Sequence, residues 1–220
     1  MGEDRFLYWG SGSPPAWRVM ITLMEKNLEY TSKQCDFSKK EHKSMEILEL
    51  NPRGQVPTMV DQGVVVCESG AAVQYLDAVY ANPPLMPKDR KALGLALQRF
   101  HESNVLAAKI SEVFRLKMLG QIKTEEDESA WDKKVAALNE ELLLWDAHLS
   151  EGYAAGKEFT LADVMLIPYI LILLRLDATL ETLPNVKKYA ETLKARPSVK
   201  KTSPPHWATS PSPGWLKGKF

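Results

Sequence analysis

The hydrophobic pattern of the first eighty residues changes period several times, which is typical of a mixed α/β domain. An apolar, aromatic run at residues 6–9 suits a buried strand, and an alternating stretch covers residues 28–35. Apolar positions at helical spacing cover residues 16–27 and, with more charged residues, 39–50. These lengths suit the helical crossovers that parallel strands need, so the segment predicts a strand–helix–strand–helix order.

Two short β-rich runs follow, at residues 56–60 and 64–67. The three residues between them, 61–63, include aspartate and glycine, which favour a tight turn, so the runs predict a β-hairpin. Ser69 follows the second run and precedes apolar residues at helical spacing, which makes it a candidate N-cap. A turn ending at Pro57 beside the start of a helix predicts a binding place for a peptide-like ligand that carries a carboxylate.

Beyond a proline-rich stretch at residues 81–87, the pattern is helical throughout. Amphipathic patterns cover residues 89–119 and 125–149, and the second places its apolar residues at alternating steps of four and three. Such a narrow stripe predicts packing against a neighbouring helix. Thr160 and Asp163 form a capping-box pattern ahead of an apolar helix, so we expect Asp163 to be structural.

This change of pattern predicts two domains. We expect an α/β domain of order βαβαββα, the thioredoxin-like arrangement, over residues 1–82, a linker over 83–89 and an all-helical domain over 90–220. A last helix over residues 183–196 is followed by a C-terminal tail (residues 202–220) that is rich in proline and serine. The tail also carries aromatic residues, which disordered segments seldom keep. We therefore expect part of the tail to pack on the helical domain and to border the site.

Composition narrows the possible partners. Lysine plus arginine (28) equals aspartate plus glutamate (28), so charge does not indicate nucleic acid or an anionic membrane as a partner. No apolar run reaches the roughly 18 residues that a transmembrane helix needs. Cys35 and Cys67 show neither C-x-x-C nor zinc spacing, and residues 1–6 lack the pattern of a signal peptide. We therefore expect a cytoplasmic protein without a metal site.

The first turn (residues 10–15) carries the candidate chemistry, because it holds Ser11 and Ser13 directly before a helix. A hydroxyl at a helix N-terminus combines a hydrogen-bond donor with the positive end of the helix dipole, and both stabilise a thiolate. The turn has no cysteine, so thiol–disulfide exchange through it is not expected. Serine is also a common turn residue for purely structural reasons.

Taken together, three motifs resemble those of the glutathione S-transferases. They are the serine turn, the Val-Pro and Glu-Ser pairs on either side of the hairpin, and the capping box at Thr160. The resemblance covers about residues 5–200, and residues 7–21 are similar to the rho class, a serine-type pattern close to theta and zeta. It implies conjugation of glutathione to apolar electrophiles, a homodimer, and no cofactor beyond glutathione as co-substrate.

The resemblance gives three candidate hydroxyls for the hydrogen-bond donor to the thiolate. Placing Trp17 and Arg18 on the matching zeta-like pair makes Ser13 the donor. Ser11 is the second candidate, since the length of this turn varies among classes. Tyr8 is the third, because several classes use a tyrosine near the end of the first strand. The alternative interpretation of Tyr8 is core packing, because it lies inside the apolar run of residues 6–9.

The resemblance also implies that glutathione lies along the edge of the hairpin. In the family the Val56–Pro57 bond is cis, and the residue before the proline pairs with the cysteinyl backbone. The Glu68–Ser69 pair holds the γ-glutamyl carboxylate. The candidates for the glycine carboxylate are Gln55, Lys43, His42 and Arg53.

We expect the apolar second substrate between the first turn and the helix predicted over residues 89–119. Candidate pocket residues are Phe114, Arg115 and Met118, with core packing as the alternative for the phenylalanine and the methionine. Two other functions fit the same motifs. One is a glutathione-dependent isomerase, as among zeta relatives, and the other is a carrier that binds glutathione or hydrophobic ligands without turnover.

Overall fold

The computed structural model describes residues 4–220. Residues 1–3, which belong to the segment 1–6 that lacks a signal-peptide pattern, lie outside the described residues. The chain divides into two compact units. The first contains the chain up to Leu85 together with Arg196–Ser210, and the second contains Met86–Ala195 with Pro211–Phe220.

The first unit is built around a mixed sheet. Its elements are β1 (Arg5–Trp9), α1 (Pro14–Glu25), β2 (Thr31–Gln34), α2 (Met45–Leu50), β3 (Thr58–Asp61), β4 (Val64–Cys67) and α3 (Ser69–Val79). The strands lie in the order β2-β1-β3-β4, with β1 and β2 parallel and the other two pairings antiparallel. The predicted βαβαββα order and the thioredoxin-like fold are therefore confirmed.

The side chains of strand β1 lie on both faces of the sheet. Successive side chains of a strand point to opposite faces, so Leu7 and Trp9 share one face and Tyr8 lies on the other. Leu7 is completely buried, and Tyr8 packs in a cluster with Cys35 and Ile47 of α2. The end of β1 therefore leads directly from the core into the first turn.

Two predicted boundaries shift for reasons of backbone chemistry. Helix α1 begins at Pro14 rather than at residue 16, because proline suits the first positions of a helix, where no N–H is needed. Strand β3 begins at Thr58 rather than at residue 56, because Pro57 has no N–H to pair with a neighbouring strand.

A buried lysine ties the end of α1 to the last residues of the α/β domain. Lys26 is 3% exposed, and its ammonium donates to the Asp77 carboxylate, to the Tyr80 carbonyl at 2.8 Å and to the Pro83 carbonyl at 2.6 Å. A buried charge with three acceptors is fully satisfied, so Lys26 fixes the path of the chain after α3.

The second unit is helical, as predicted. Its main elements are α4 (Arg90–Met118), α5 (Glu125–His148), α6 (Leu161–Arg175) and α7 (Pro184–Ala195). The stripe expected on α5 is buried, and its members are Trp131, Val135, Leu138, Leu142 and Trp145. Among residues 4–220, no helix combines the length and apolar composition needed to cross a membrane.

The capping box at the start of α6 is present. Asp163 is completely buried; one carboxylate oxygen accepts from the Thr160 N–H and the other from the Ala154 N–H, both at 2.8 Å. Burial raises the pKa of the Asp163 carboxyl to about 6, against the hydrogen bonds, which lower it. Asp163 therefore acts in the structural role that its position predicts.

The end of the chain contributes to both units. The expected division assigned all of it to the helical domain, but a short helix, α8 (Pro197–Thr202), and the residues up to Ser210 group with the first unit. Trp17 donates from Nε1 to Thr202 Oγ1 at 2.8 Å, and its ring meets Trp207 edge-on at 5.4 Å. Residues 211–220 pack on the second unit, as expected for part of the tail.

Candidate active site

Ser13 closes the first turn and caps α1. Its N–H donates to the Gly10 carbonyl at 3.0 Å, and its Oγ accepts from the Ala16 N–H at 3.4 Å. Among the described residues, the Ser13 hydroxyl donates its own proton to no acceptor. The hydroxyl therefore lies at the N-terminus of a 12-residue helix with its donor capacity unused.

The electrostatics of this helix end favour an anion. The first turn of α1 contains no acidic residue, so no negative side chain offsets the positive end of the helix dipole. An anionic sulfur beside the Ser13 hydroxyl would receive a hydrogen bond and meet this positive potential. The geometry therefore suits stabilisation of a thiolate.

Ser11 has a different partner, which comes from the tail. Its Oγ lies 2.6 Å from Nδ1 of His206, across 195 residues of sequence. The backbone of Gly12 has a φ of +84°, and a Cβ at this position would lie 2.9 Å from the His206 ring. The first turn and the tail are therefore in close contact, and the sequence pattern of the tail gave no sign of His206.

The hydroxyl of Tyr8 is hydrogen-bonded to two charged side chains. Its hydroxyl donates to the Glu46 carboxylate at 2.5 Å and accepts from the Lys33 ammonium at 2.8 Å. Burial and, next, the hydrogen bond to Glu46 raise the pKa of the Tyr8 hydroxyl. Because its proton is held by a carboxylate, Tyr8 is a poor donor to a second anion.

The Val56–Pro57 bond is cis, as the resemblance implied. The buried side chain of Asn51 fixes the loop before it, donating to the Gln55 carbonyl and to Thr58 Oγ1, both at 3.1 Å. Thr58 is the first residue of β3 in the sheet register, so Val56 lies outside the strand pairing. The backbone of Val56 is therefore placed at the end of the sheet rather than within it.

Ser69 is the first residue of α3, so the prediction that it is the N-cap is wrong. Glu68 occupies the cap position, with a φ of +69° and no side-chain capping hydrogen bond. A residue other than glycine at positive φ is uncommon, and such strain clusters at functional sites. The Ser69 hydroxyl instead accepts from Arg18 Nη1 at 3.3 Å, and both residues are buried.

Arg18 contacts the candidate site residue Ser69, and the sequence did not predict this contact. A signal was available, because the arginine lies inside the apolar face of α1, between Trp17 and Val19. A charged residue in such a position is almost never fully buried unless it is paired. Its guanidinium places positive charge beside the N-terminus of α3, where the resemblance puts a carboxylate.

The structure brings most of the glycine-carboxylate candidates together. Lys43 donates to the Arg53 carbonyl at 2.8 Å, and a Cβ at Gly54 would lie within 3.2 Å of Lys43 and the His42 carbonyl. The Gln55 side chain is exposed beside them. Among the described residues, buried His42 Nδ1 has no hydrogen-bond partner. Cationic and polar groups therefore surround the loop before the cis bond.

An aromatic side chain that sequence analysis missed lies against the first turn. A Cβ at Gly10 would lie 2.2 Å from the ring of Phe37, so a larger residue at that position would have to displace this ring. Phe37 is 42% exposed, and its ring meets His42 edge-on at 5.2 Å. It offers an apolar surface next to the serines.

The second-substrate candidates lie on the last turns of α4. Phe114 is half-buried, with its ring centre 5.6 Å from that of Trp215, while Arg115 is exposed and Met118 is 53% exposed. Core packing therefore does not describe Met118. Within residues 4–220, histidine, cysteine and carboxylate side chains form no group of three that would hold a metal ion.

Comparison with known proteins covers nearly the whole chain. Residues 5–78 match the family described as the glutathione S-transferase N-terminal domain, and residues 87–197 match the corresponding C-terminal domain. A relative from Pleuronectes platessa named glutathione S-transferase A is 41% identical over 217 residues, which is 96% of each chain. A probable maleylacetoacetate isomerase from Caenorhabditis elegans is 33% identical, with 86% of each chain covered.

Solved structures give the same result. The fold is similar to a glutathione S-transferase from the Antarctic clam Laternula elliptica, with a TM-score of 0.92 and 42% identity. That comparison covers 99% of this chain and 100% of the clam protein.

Proposed function

The chain belongs to the glutathione S-transferase family, and we propose that it is a serine-type member, close to the rho pattern, in which Ser13 stabilises the glutathione thiolate. The observation that supports this proposal is the hydrogen bonding of the Ser13 hydroxyl. Its oxygen accepts from the Ala16 N–H, so its proton is available to donate to a sulfur. A free thiol has a pKa of about 8.5, so at neutral pH most of it is protonated and weakly nucleophilic. A hydrogen bond and the α1 dipole both favour the thiolate.

In the proposed reaction, the thiolate sulfur forms a bond to an electrophilic carbon of an apolar substrate. An aryl halide is one such substrate, and its halide leaves with the bonding electron pair. We propose that Phe114, Arg115 and Met118 contribute to binding it, because they combine exposed apolar surface with a cation on the last turns of α4. Glutathione serves as co-substrate, and no further cofactor is assigned.

In this proposal, glutathione lies along the sheet edge and is held at its middle and at both ends. The Val56 backbone pairs with the cysteinyl part, and Glu68 with Ser69 holds the γ-glutamyl carboxylate. The buried guanidinium of Arg18, 3.3 Å from the Ser69 hydroxyl, supports a negative charge there. At the other end, Lys43 and Gln55 are assigned to the glycine carboxylate.

Family members commonly form homodimers, and we propose the same assembly and a cytoplasmic location for this chain. The resemblance supports both, and neither enters the chemistry assigned to Ser13. Sedimentation of the purified protein tests the assembly directly.

Replacing Tyr8 by phenylalanine should leave kcat/KM for glutathione conjugation within about twofold of wild type. The physical reason is that its hydroxyl is committed to Glu46 and Lys33, so it contributes no hydrogen bond to the sulfur. Steady-state kinetics with an aryl halide measure this. A loss comparable with that of an oxyanion-hole donor, about 10²-fold, would instead identify Tyr8 as the donor.

An isomerase is the second candidate function. It is favoured by the relative from Caenorhabditis elegans, whose name gives maleylacetoacetate isomerisation as its probable activity. The same thiolate would add to a double bond and leave again, so the assignment of Ser13 is shared. Assaying the purified enzyme with maleylacetoacetate alongside an aryl halide separates the two reactions.

The experiment that tests the proposed function is a glutathione titration followed by thiolate absorbance and by conjugation. A transferase develops the thiolate band at a lower pH than free glutathione does and forms conjugate with an aryl halide. A carrier binds glutathione in calorimetry but shows neither the band nor the product. That second result would reject the proposed activity and leave only ligand binding.

A further inference from the structure

The contact between Ser11 and His206 joins two segments that are each held firmly. Ser11 lies in a turn closed by the hydrogen bond from Ser13 N–H to the Gly10 carbonyl. His206 lies in a single turn of 3-10 helix, Pro205–Ala208, just after α8. The neighbouring Trp207 packs edge-on against Trp17 at 5.4 Å. The distance of 2.6 Å between Ser11 Oγ and His206 Nδ1 is therefore held by packing on both sides.

Forming a thiolate at neutral pH releases a proton, and the proposed function leaves that proton without an acceptor. A serine hydroxyl donates a hydrogen bond to sulfur, but it is far too weak a base to keep the proton. Histidine is the side chain whose ordinary pKa lies close to neutral pH, so it exchanges protons most readily there. His206 is a histidine that contacts a serine of the first turn directly.

We propose that His206 accepts, through Ser11, the proton that glutathione loses when it binds. This inference rests on the proposed function, because it requires glutathione to lie with its sulfur at the first turn. It gives the two serines separate tasks. Ser13 donates to the thiolate, and Ser11 passes the proton on.

The step balances in atoms and charge. The step uses the neutral tautomer of His206 with its proton on Nε2, in which Nδ1 accepts from the Ser11 hydroxyl. The thiol S–H bond breaks and its electron pair stays on sulfur, while its proton passes to Ser11 Oγ. The original Ser11 hydroxyl proton passes at the same time to Nδ1 of His206. The products are a thiolate that accepts from Ser11 and an imidazolium that donates to Ser11.

The surroundings of the ring suit this task. The groups set against it include the Ser11 hydroxyl, the Gly12 backbone and the edge of Trp207, at 6.4 Å between ring centres. The imidazole is exposed, so water can take the proton onward after turnover. Thiolate and imidazolium also stabilise each other, as in cysteine–histidine pairs of enzymes.

The test follows the protonation of His206 by NMR of its ring nitrogens at about pH 8, where an unperturbed histidine is neutral. The chain has four histidines, so the spectrum of His206→Asn assigns the signal. Glutathione is compared with S-methylglutathione, which keeps every other group but has no thiol proton to give. Calorimetry of both ligands runs in parallel.

We expect glutathione to move the His206 signals towards imidazolium in wild type, and S-methylglutathione to leave them neutral. In Ser11→Ala both ligands should leave them neutral, because the relay is cut. An unchanged His206 with bound glutathione would overturn the inference alone, as would an equal response to S-methylglutathione. Absence of glutathione binding would overturn the proposed function and this inference together.

A second measurement separates proton acceptance from mere positioning of Ser11. Asparagine at residue 206 keeps a polar group near the place of Nδ1 but cannot hold the proton. His206→Asn should therefore shift the thiolate band of bound glutathione upward by about one pH unit, a tenfold loss of thiolate below the midpoint. His206→Phe should shift it equally. If the thiolate band of His206→Asn instead stayed at its wild-type position while that of His206→Phe shifted, His206 would only orient Ser11.

Discussion

Replacing Ser13 by alanine should lower kcat/KM for glutathione conjugation by about 10²-fold, the range seen when one preorganised donor to a developing anion is removed. The Ser13 hydroxyl is the donor assigned to the sulfur, and the α1 dipole remains after the substitution. The same variant should shift the thiolate band of bound glutathione to higher pH while calorimetry still detects glutathione binding. Steady-state kinetics with an aryl halide and an absorbance titration measure both effects.

The matched controls are Ser13→Thr and Ser11→Ala. Threonine keeps a hydroxyl and can still cap α1, so it should recover much of the activity that alanine loses. Ser11→Ala should lose less, about tenfold, because Ser13 still donates to the sulfur. If Ser11→Ala instead lost 10²-fold while Ser13→Ala stayed near wild type, the roles of the two serines would be reversed.

Replacing Asp163 by alanine should lower the free energy of unfolding by about 3–5 kcal/mol at neutral pH. The loss combines the helix cap with the N–H groups of Ala154 and Thr160, which would be left buried without a partner. Urea unfolding followed by circular dichroism measures it. Kinetic constants per folded molecule should stay unchanged, because the carboxylate is assigned no part in the chemistry.

The chain offers a matched control for this stability effect. Thr124 and Asp127 form the same capping box at the start of α5, but in an exposed position. Asp127→Ala should therefore cost only about 0.5–1 kcal/mol, since water can satisfy the released N–H groups. An equal cost at the two sites would show that burial of Asp163 contributes nothing.

The cost of Asp163→Ala should also depend on pH. The folded pKa, about 6, lies above the ordinary value of about 3.9 expected in the unfolded chain, so the folded state binds more protons between these values. The stability contributed by this proton is fully present below about pH 4 and is lost as pH rises through 6. Between about pH 5 and 8, wild type should lose about 1.4 kcal/mol relative to Asp163→Ala, which has no group to titrate there.

The order of elements was predictable because it depends on local pattern. Apolar spacing, the turn at residues 61–63 and the capping box at Thr160 each report on neighbours within a few residues. Backbone chemistry explains the boundary errors in the same local terms: Pro14 suits the first turn of a helix, and Pro57 cannot pair in a strand. The cis bond at Pro57 followed from the resemblance rather than from the residues.

The contacts that complete the site were not predictable, because each joins distant parts of the chain. His206 reaches Ser11 across 195 residues, and nothing near residue 206 marks it as different from other tail residues. Phe37 covers Gly10 from a loop whose path depends on the whole sheet. Arg18 and Lys26 are different, since charged residues within or beside a buried helix face indicate that partners exist without naming them.

The divided end of the chain has a consequence for recombination between relatives. The α/β domain is discontinuous in sequence, since Arg196–Ser210 supplies Thr202 and Trp207 to Trp17. A chimera joined only at the linker would therefore place a foreign segment against a native tryptophan and a native serine turn. Exchanging an α/β domain intact therefore requires three crossovers, one near Leu85 and one at each end of residues 196–210.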